Sequence, residues 1–214
     1  SRFTVIKARY RFNTPAFIGG ADQNKPELRT SSFKGILRWW YRAIDARICF
    51  SDNDPSPEDK IWGGTNDSAG QSCVWLRVHD KAVKIGNNVR IGSSNFIVGK
   101  PLTWQWDKRK FDRFTIGRGK FSKNGIIYLG YPFGLGGNRD RKAIAPGEEF
   151  SSSFTIVREH QLDVKDKLAI AASICMFSLL GSCGTRSRRG FGSLQLLDDF
   201  QIEGNRQDEW EEIF

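Results

Sequence analysis

The residues VIKARYRFN, positions 5–13, alternate apolar and polar side chains with a period of two. Ile6, Ala8, Tyr10 and Phe12 fall on one face, and Lys7, Arg9, Arg11 and Asn13 on the other. That pattern specifies a strand buried on one side only, with an open cationic face. A chain with such a strand needs a sheet, and something apolar laid over one side of it.

Two later stretches supply the cover. In SSFKGILRWWYRAI, residues 31–44, Phe33, Ile36, Leu37, Trp40 and Ile44 recur at helical spacing and form one stripe. Lys34, Arg38 and Arg42 form a second stripe beside it. Ser31 or Ser32 is placed to cap this helix. Trp39 and Tyr41 flank the core stripe and stay open between packing and an outward contact. The second stretch, DVKDKLAIAASICMFSLLGS, starts at Asp163 or Asp166 and can end at Gly181. It is apolar almost all round from Leu168 to Leu180, which predicts a buried helix.

Between and after these helices lie further strand patterns. QSCVWLRVHD (71–80) and EEFSSSFTIVRE (148–159) read as strands, and CGTRSRRGFGSLQL (183–196) as a loop running into a strand. Residues 14–30 and 51–70 read as loops. Residues 81–149 are irregular, with strand-like pieces NFIVGKPLTWQW and GIIYLGYPF. The predicted class is α+β. The order strand, helix, strand, strand, helix, strand is that of a ferredoxin-like (RRM-like) β-α-β-β-α-β core, with a long insertion between the second and third strands. One domain over 1–214, with the insertion at 81–149, accounts for the length.

Composition narrows the function. The net charge is +9, and it is segregated. Residues 1–47 hold ten Lys/Arg against three Asp/Glu, and residues 108–142 hold ten against two, whereas residues 198–214 hold one Arg against seven acids. Two basic segments point to a polyanion such as nucleic acid. The acidic end, DEWEEIF, reads as surface or as a contact to a basic neighbour. Four cysteines without a C-x-x-C pair and two histidines argue against a structural zinc site or a disulfide framework, and suggest free thiols in a reducing cytoplasm. No cofactor motif is present, and no run of about 18 apolar residues indicates a membrane span.

The most informative motif is GTRSRRGFG, in which Gly184, Gly190 and Gly192 bracket Arg186, Arg188 and Arg189. Glycines expose backbone N–H groups and arginines present forked donors, so the loop suits phosphate. SSFKGILR adds hydroxyls, a helix amino end and two cations one turn apart, a second phosphate-type site. Gly19 and Gly20 allow close backbone approach in the preceding loop, and Gly35 does so early in the helix.

These pieces together, TPAFIGGAD…PELRTSSFKGILRWWYRAI, IWGG…GQSCVWLRV and GTRSRRGFGSLQ, resemble the RAMP superfamily of CRISPR effector subunits, and within it the type III-B Cmr branch. The resemblance implies a non-catalytic subunit of an RNA-targeting interference complex. Its partners would be guide RNA (crRNA), near the 3′ end, the adjoining target RNA, and other Cmr subunits. The residues it marks for RNA contact are Ser32, Lys34, Gly35, Arg38, Arg186, Arg188, Arg189, Gly190, Phe191 and Gly192, to which Gly19, Gly20, Ser31 and Arg42 are added as neighbours. Relatives use an insertion as a thumb between nucleotides. Trp104, Trp106, Phe111, Phe114 and Phe121 within 95–142 would suit base stacking.

An endoribonuclease acting on CRISPR repeat RNA is the competing expectation. Its only candidates are His79, His160 and Asp22, none beside a recognisable partner.

Overall fold

The structure, a computed structural model, describes residues 3–20, 26–47, 56–64, 70–79, 143–144 and 146–214, with the backbone of 88–91, 94–97, 115–116 and 123–124. The expectations that rest on Asp22 and on the aromatics Trp104, Trp106, Phe111, Phe114 and Phe121 lie outside the described residues.

The elements run β1 (Thr4–Phe12), α1 (Thr30–Ile44), α2 (Pro57–Trp62), β2 (Val74–His79), β3 (Asn88–Ile91), β4 (Ser94–Ile97), β5 (Thr115–Ile116), β6 (Lys123–Asn124), β7 (Glu149–Ile156), α3 (Val164–Leu180), β8 (Leu194–Leu196), β9 (Gln201–Glu203) and α4 (Gln207–Ile213). β3 pairs with β4 and β5 with β6, each pair a short antiparallel ladder, and Ile144 bridges to Ala16.

The main sheet has the order β2-β7-β1-β8, with β9 also paired to β1 beyond β8. Every ladder in it is antiparallel. β1 is central because its inward face, Ile6, Ala8, Tyr10 and Phe12, is buried as the alternation requires. β7 alternates in the same way, burying Phe150, Ser152, Phe154 and Ile156.

α1 and α3 pack on that inward face. Phe33 of α1 meets Phe150 of β7 at 5.3 Å and Phe177 of α3 at 5.8 Å. Tyr10 stacks on Phe150 at 5.2 Å, and its hydroxyl meets Ser178 Oγ at 2.8 Å. Phe33 opens α1 and Phe177 closes α3, so the two helices run antiparallel. The start of α1, the end of α3 and the carboxyl end of β1 therefore share one end of the molecule.

That end differs in places from the sequence expectation. α1 begins at Thr30, with Arg29 as its N-cap and no side-chain cap, so Ser31 and Ser32 sit inside the first turn rather than capping it. Its deepest residues are Phe33, Leu37 and Tyr41, one every four positions. Ile36 and Trp40 pack against the core from its rim, while Trp39 stays exposed. Tyr41 belongs to the core because the buried stripe is centred on Leu37, not midway to Ile44.

One segment read as loop, and the acidic end read only as surface or a neighbour contact, carry elements. The 51–70 region holds α2, capped by the Ser56 hydroxyl accepting from Asp59 N–H at 3.1 Å, with Pro57 at its first position. After β8 the chain adds β9 and α4, anchored by the buried Trp210, whose Nε1 donates to Glu159 at 2.6 Å.

α3 starts where its capping box places it: Asp163 accepts from Asp166 N–H at 2.8 Å, and Asp166 accepts from Asp163 N–H at 3.2 Å. The buried Asp166 carboxylate also takes Arg47 at 3.0 Å and Lys60 at 2.6 Å, tying the segment after α1 and α2 to this helix. The expectation that α3 is buried all round fails. Its sheet-facing side is buried, but Val164, Leu168, Leu179 and Leu180 are exposed, because only one side of this helix has a sheet to cover it.

Candidate nucleic-acid interface

The end of the molecule shared by α1, α3 and β1 collects three motifs that lie far apart in the chain. The residues after β1 turn inward, burying Ala16, Phe17 and Ile18. Gly19 then pairs with Pro26 in an isolated bridge, placing Gly19 and Gly20 just before α1.

The glycine-rich loop is laced to this segment. Cys183 N–H donates to Gly192 O at 2.8 Å, Gly192 N–H to Pro15 O at 2.8 Å, and Thr185 N–H to Phe17 O at 2.9 Å. Two glycines are needed for the closeness. A Cβ on Gly192, at φ +66, would stand 1.9 Å from Cys183 O, and one on Gly184, at φ +95, 2.7 Å from Phe17 O. Phe191 is buried edge-on to Phe17 at 5.5 Å, so this side chain clamps the loop.

The clamp leaves the arginines outside. Arg186 takes a left-handed conformation, φ +65, and Ser187–Arg189 form one turn of 3-10 helix ending at Gly190. Arg188, Arg189 and Gly190 are exposed, and Arg186 is half-buried. Among the described residues none of the three arginines has an acidic partner. Lys34 is in the same position. Half-burial, and then the neighbouring Arg38 guanidinium, push its pKa below the usual lysine value. An unpaired cation beside another cation, on a helix whose first turn carries no acid, is a place where an anion lowers the energy. Ser31, Ser32 and Gly35 lie along the same turns, and a Cβ on Gly35 would meet nothing within 4 Å.

Arg38 and Arg42 differ from Lys34. Both grip Glu58 of α2: Arg38 Nε donates to Oε1 at 2.6 Å, and Arg42 Nε to Oε2 at 2.6 Å. Burial alone would raise the Glu58 pKa, but the hydrogen bonds from Arg42 and Arg38 outweigh it and hold the carboxyl below its usual value. Arg42 remains largely exposed beyond the pair. Sequence reading missed Glu58, which lies twenty residues from Arg38 in a stretch that looks like solvated loop.

The open face of the sheet is also less cationic than the strand pattern suggests. Lys7 pairs with Glu203 at 2.7 Å, Arg9 with Asp198 at 2.8 Å, and Arg11 with Glu149 at 2.5 Å. The acids come from β9, the β8–β9 connection and β7, so the face is balanced in charge. It holds a shallow depression of about 440 Å³ floored by Ser151, Ser153 and Thr155. Arg77 stays without an acidic partner on this face, and the densest group of unpaired cations among the described residues, Lys34, Arg186, Arg188 and Arg189, is at the α1/glycine-loop end.

His79 and His160, the catalytic candidates among the described residues, are not brought together. His79 closes β2 opposite Ser151, whereas His160 follows the other end of β7. His79 Nε2 lies 3.3 Å from Ser153 Oγ. Among the described residues no group of three His, Cys, Asp or Glu is placed to hold a metal, and no helix is long and apolar enough to cross a membrane.

A sheet with helices on one face, and a glycine-clamped arginine loop at the same end as a basic helix start, defines an α+β protein with exposed basic groups gathered at one end. The chain belongs to the RAMP superfamily, whose family model matches residues 9–195. It is 31% identical over 186 residues to the CRISPR system Cmr subunit Cmr1-2 of Pyrococcus furiosus, covering 86% of this chain and 90% of that one. Its fold is similar to the crystal structure of apo Cmr1 from Pyrococcus furiosus (TM-score 0.50, 21% identity, 96% of this chain and 52% of that one). It is also similar to a chain of the type III-B Cmr-beta complex bound to cognate target RNA and AMPPnP (TM-score 0.54, 14% identity, 100% of this chain and 58% of that one). The chain therefore spans little more than half the length of these solved relatives.

Proposed function

We propose that this chain is a non-catalytic guide-RNA-binding subunit of a type III-B (Cmr) RNA-targeting complex, contacting the 3′ region of the guide and the adjoining target RNA. One observation carries the reading: Lys34, Arg186, Arg188 and Arg189, cations without acidic partners among the described residues, gather at one end of the sheet around a glycine-clamped backbone. Ser31, Ser32, Gly35, Gly19, Gly20, Gly190 and Gly192 supply close-approach backbone and hydroxyls there, and Arg38 and Arg42 extend the basic stripe. Target choice then comes from base pairing with the guide, since phosphate contacts carry no base information. The Cmr1-2 relative supports membership of such a complex, with other Cmr subunits as partners.

The core is read as ferredoxin-like. The order β2-β7-β1-β8, with α1 crossing from β1 to β2 and α3 from β7 to β8, supports it, and α2, β9 and α4 are additions. Residues 81–149 are read as an insertion within a single domain, thumb-like or a reduced second lobe.

The test is the affinity of the purified chain for single-stranded guide RNA, measured across a salt series. Each phosphate contact on a single strand contributes about 0.7 to the slope of log affinity against log salt. Changing Lys34, Arg186, Arg188 and Arg189 to Ala should lower that slope by roughly 3, equally for unrelated guide sequences. An unchanged slope, or a loss confined to some sequences, refutes the site. Cleavage of repeat RNA that disappears in His160→Ala or Asp22→Ala overturns the non-catalytic reading.

A further inference from the structure

RNA binding leaves two features without a role, the apolar helix α3 and the acidic helix α4. From Leu168 to Leu180, α3 contains no charged residue. Its sheet-facing side buries Ile170, Ala171, Ile174 and Phe177. Its outward side presents Val164, Leu168, Leu179 and Leu180 at 66%, 50%, 67% and 64% exposure. The exposed Ala172 sits one turn beyond Leu168 on the same side. A helix facing only water carries polar side chains there. Beyond the exposed Lys165 of its first turn, this one offers an apolar strip from Leu168 to Leu180, roughly 18 Å at 1.5 Å per residue.

The strip has an acidic end. α4 packs beside the start of α3, where the buried Lys167 pairs with Glu209, and Trp210 is fixed to Glu159 just upstream. Asp208, Glu211 and Glu212 stay exposed on α4, with no cationic partner among the described residues. A polyanion is repelled by these carboxylates and gains nothing from the leucines. Charge and polarity therefore exclude RNA and favour a protein surface that is apolar along its length and basic at one end.

We propose that the outward face of α3, continued by α4, is a protein-docking surface, and that its occupant is a helix of another subunit with Lys or Arg at the end that meets Asp208, Glu211 and Glu212. The inference rests on the assembly reading given above and deepens it. RNA is held at the carboxyl end of α3, and the neighbouring subunit lies along the back of the same helix.

The experiment uses the assembly recovered from native cells through a tag on this chain, with a photo-reactive amino acid in place of Leu168. The expected cross-link joins position 168 to a helical segment of a different protein, with Lys or Arg within about two turns. Val164→Asp combined with Leu168→Asp, both at the end of α3 away from the RNA, should lower recovery of the assembly at least about tenfold, roughly 1.4 kcal/mol of binding. The same purified variant should bind guide RNA with wild-type affinity and melt within about 2 °C of wild type, because both positions are exposed. Cross-links to RNA, to a second copy of this chain or to its own residues 81–142 overturn the proposal, as does undiminished recovery of the double variant. If the wild-type tagged chain returns with no other subunit, the assembly reading falls together with this one.

Discussion

Gly35→Ala separates what α1 does for the fold from what it does for RNA. Gly35 lies six residues into α1, exposed, and a Cβ placed on it meets no atom within 4 Å. Nothing among the described residues needs a glycine there. Replacing an interior helical glycine by alanine stabilises a helix by about 1 kcal/mol, which for a chain of this size raises Tm by roughly 2–4 °C. If the space is where a phosphate approaches the α1 backbone beside Lys34, the added methyl obstructs it. Affinity for single-stranded guide RNA should then fall, on the order of tenfold, or about 1.4 kcal/mol. Differential scanning calorimetry and fluorescence anisotropy on one preparation give both numbers. A more stable protein with unchanged affinity refutes the placement of RNA at this turn. A less stable protein refutes the description of the helix itself.

Gly192→Ala should destabilise the chain by about 2 kcal/mol or more, since it adds a left-handed alanine and a contact with the Cys183 carbonyl; a shift of the urea midpoint measures it. Glu58→Gln should cost about 1–2 kcal/mol of stability, less than a fully buried pair because Arg42 is largely exposed; equilibrium unfolding at pH 7 checks this. Folded Glu58 titrates below its ordinary 4.5, and Asp163 below 3.8 because the Asp166 backbone N–H bonds its carboxylate. Stability from these groups is present above those ordinary values and drains away as pH falls through the lower folded ones, so urea midpoints should hold steady from pH 7 to 5 and then drop, less steeply in Glu58→Gln. Cys183, its thiol pushed far up by burial, should resist alkylation in the native protein and react once urea unfolds it.

The parts of the fold legible in the sequence are those with a long period. The alternation in β1 and β7 and the stripe in α1 fix which face is buried, because each residue repeats the same message. α2 is six residues long and begins with proline, and β9 is three residues long, too short for a period to emerge above turn signals. The site was legible in its unpaired members. Arg186, Arg188 and Arg189 sit in a loop whose glycines announce tight backbone. Tertiary pairing was invisible. Nothing local says that Glu58 reaches Arg38 and Arg42, that Glu149 and Asp198 neutralise the strand cations, or that Phe191 turns inward onto Phe17. A helix apolar on every side tells the sequence reader that it will be covered, but not by which molecule.

Pairing is what sorts the charge of this chain into functions. Arg9, Arg11, Arg38 and Arg42 each face a carboxylate at 2.5–2.8 Å, so in binding a phosphate each would have to share or exchange an existing partner. Lys34 and the loop arginines face none among the described residues, and their mutual repulsion is relieved when an anion arrives. Uniform cationic density would attract RNA anywhere on β1. Acids on β7, β9 and α2 cancel it there and leave it standing at the end where α1 begins and the glycine loop closes. Glu58 thus has a directional effect: by engaging Arg38 and Arg42 further along α1, it leaves Lys34 as the cation of this helix without an acidic partner among the described residues. Its loss should therefore broaden where RNA binds as well as weaken the fold.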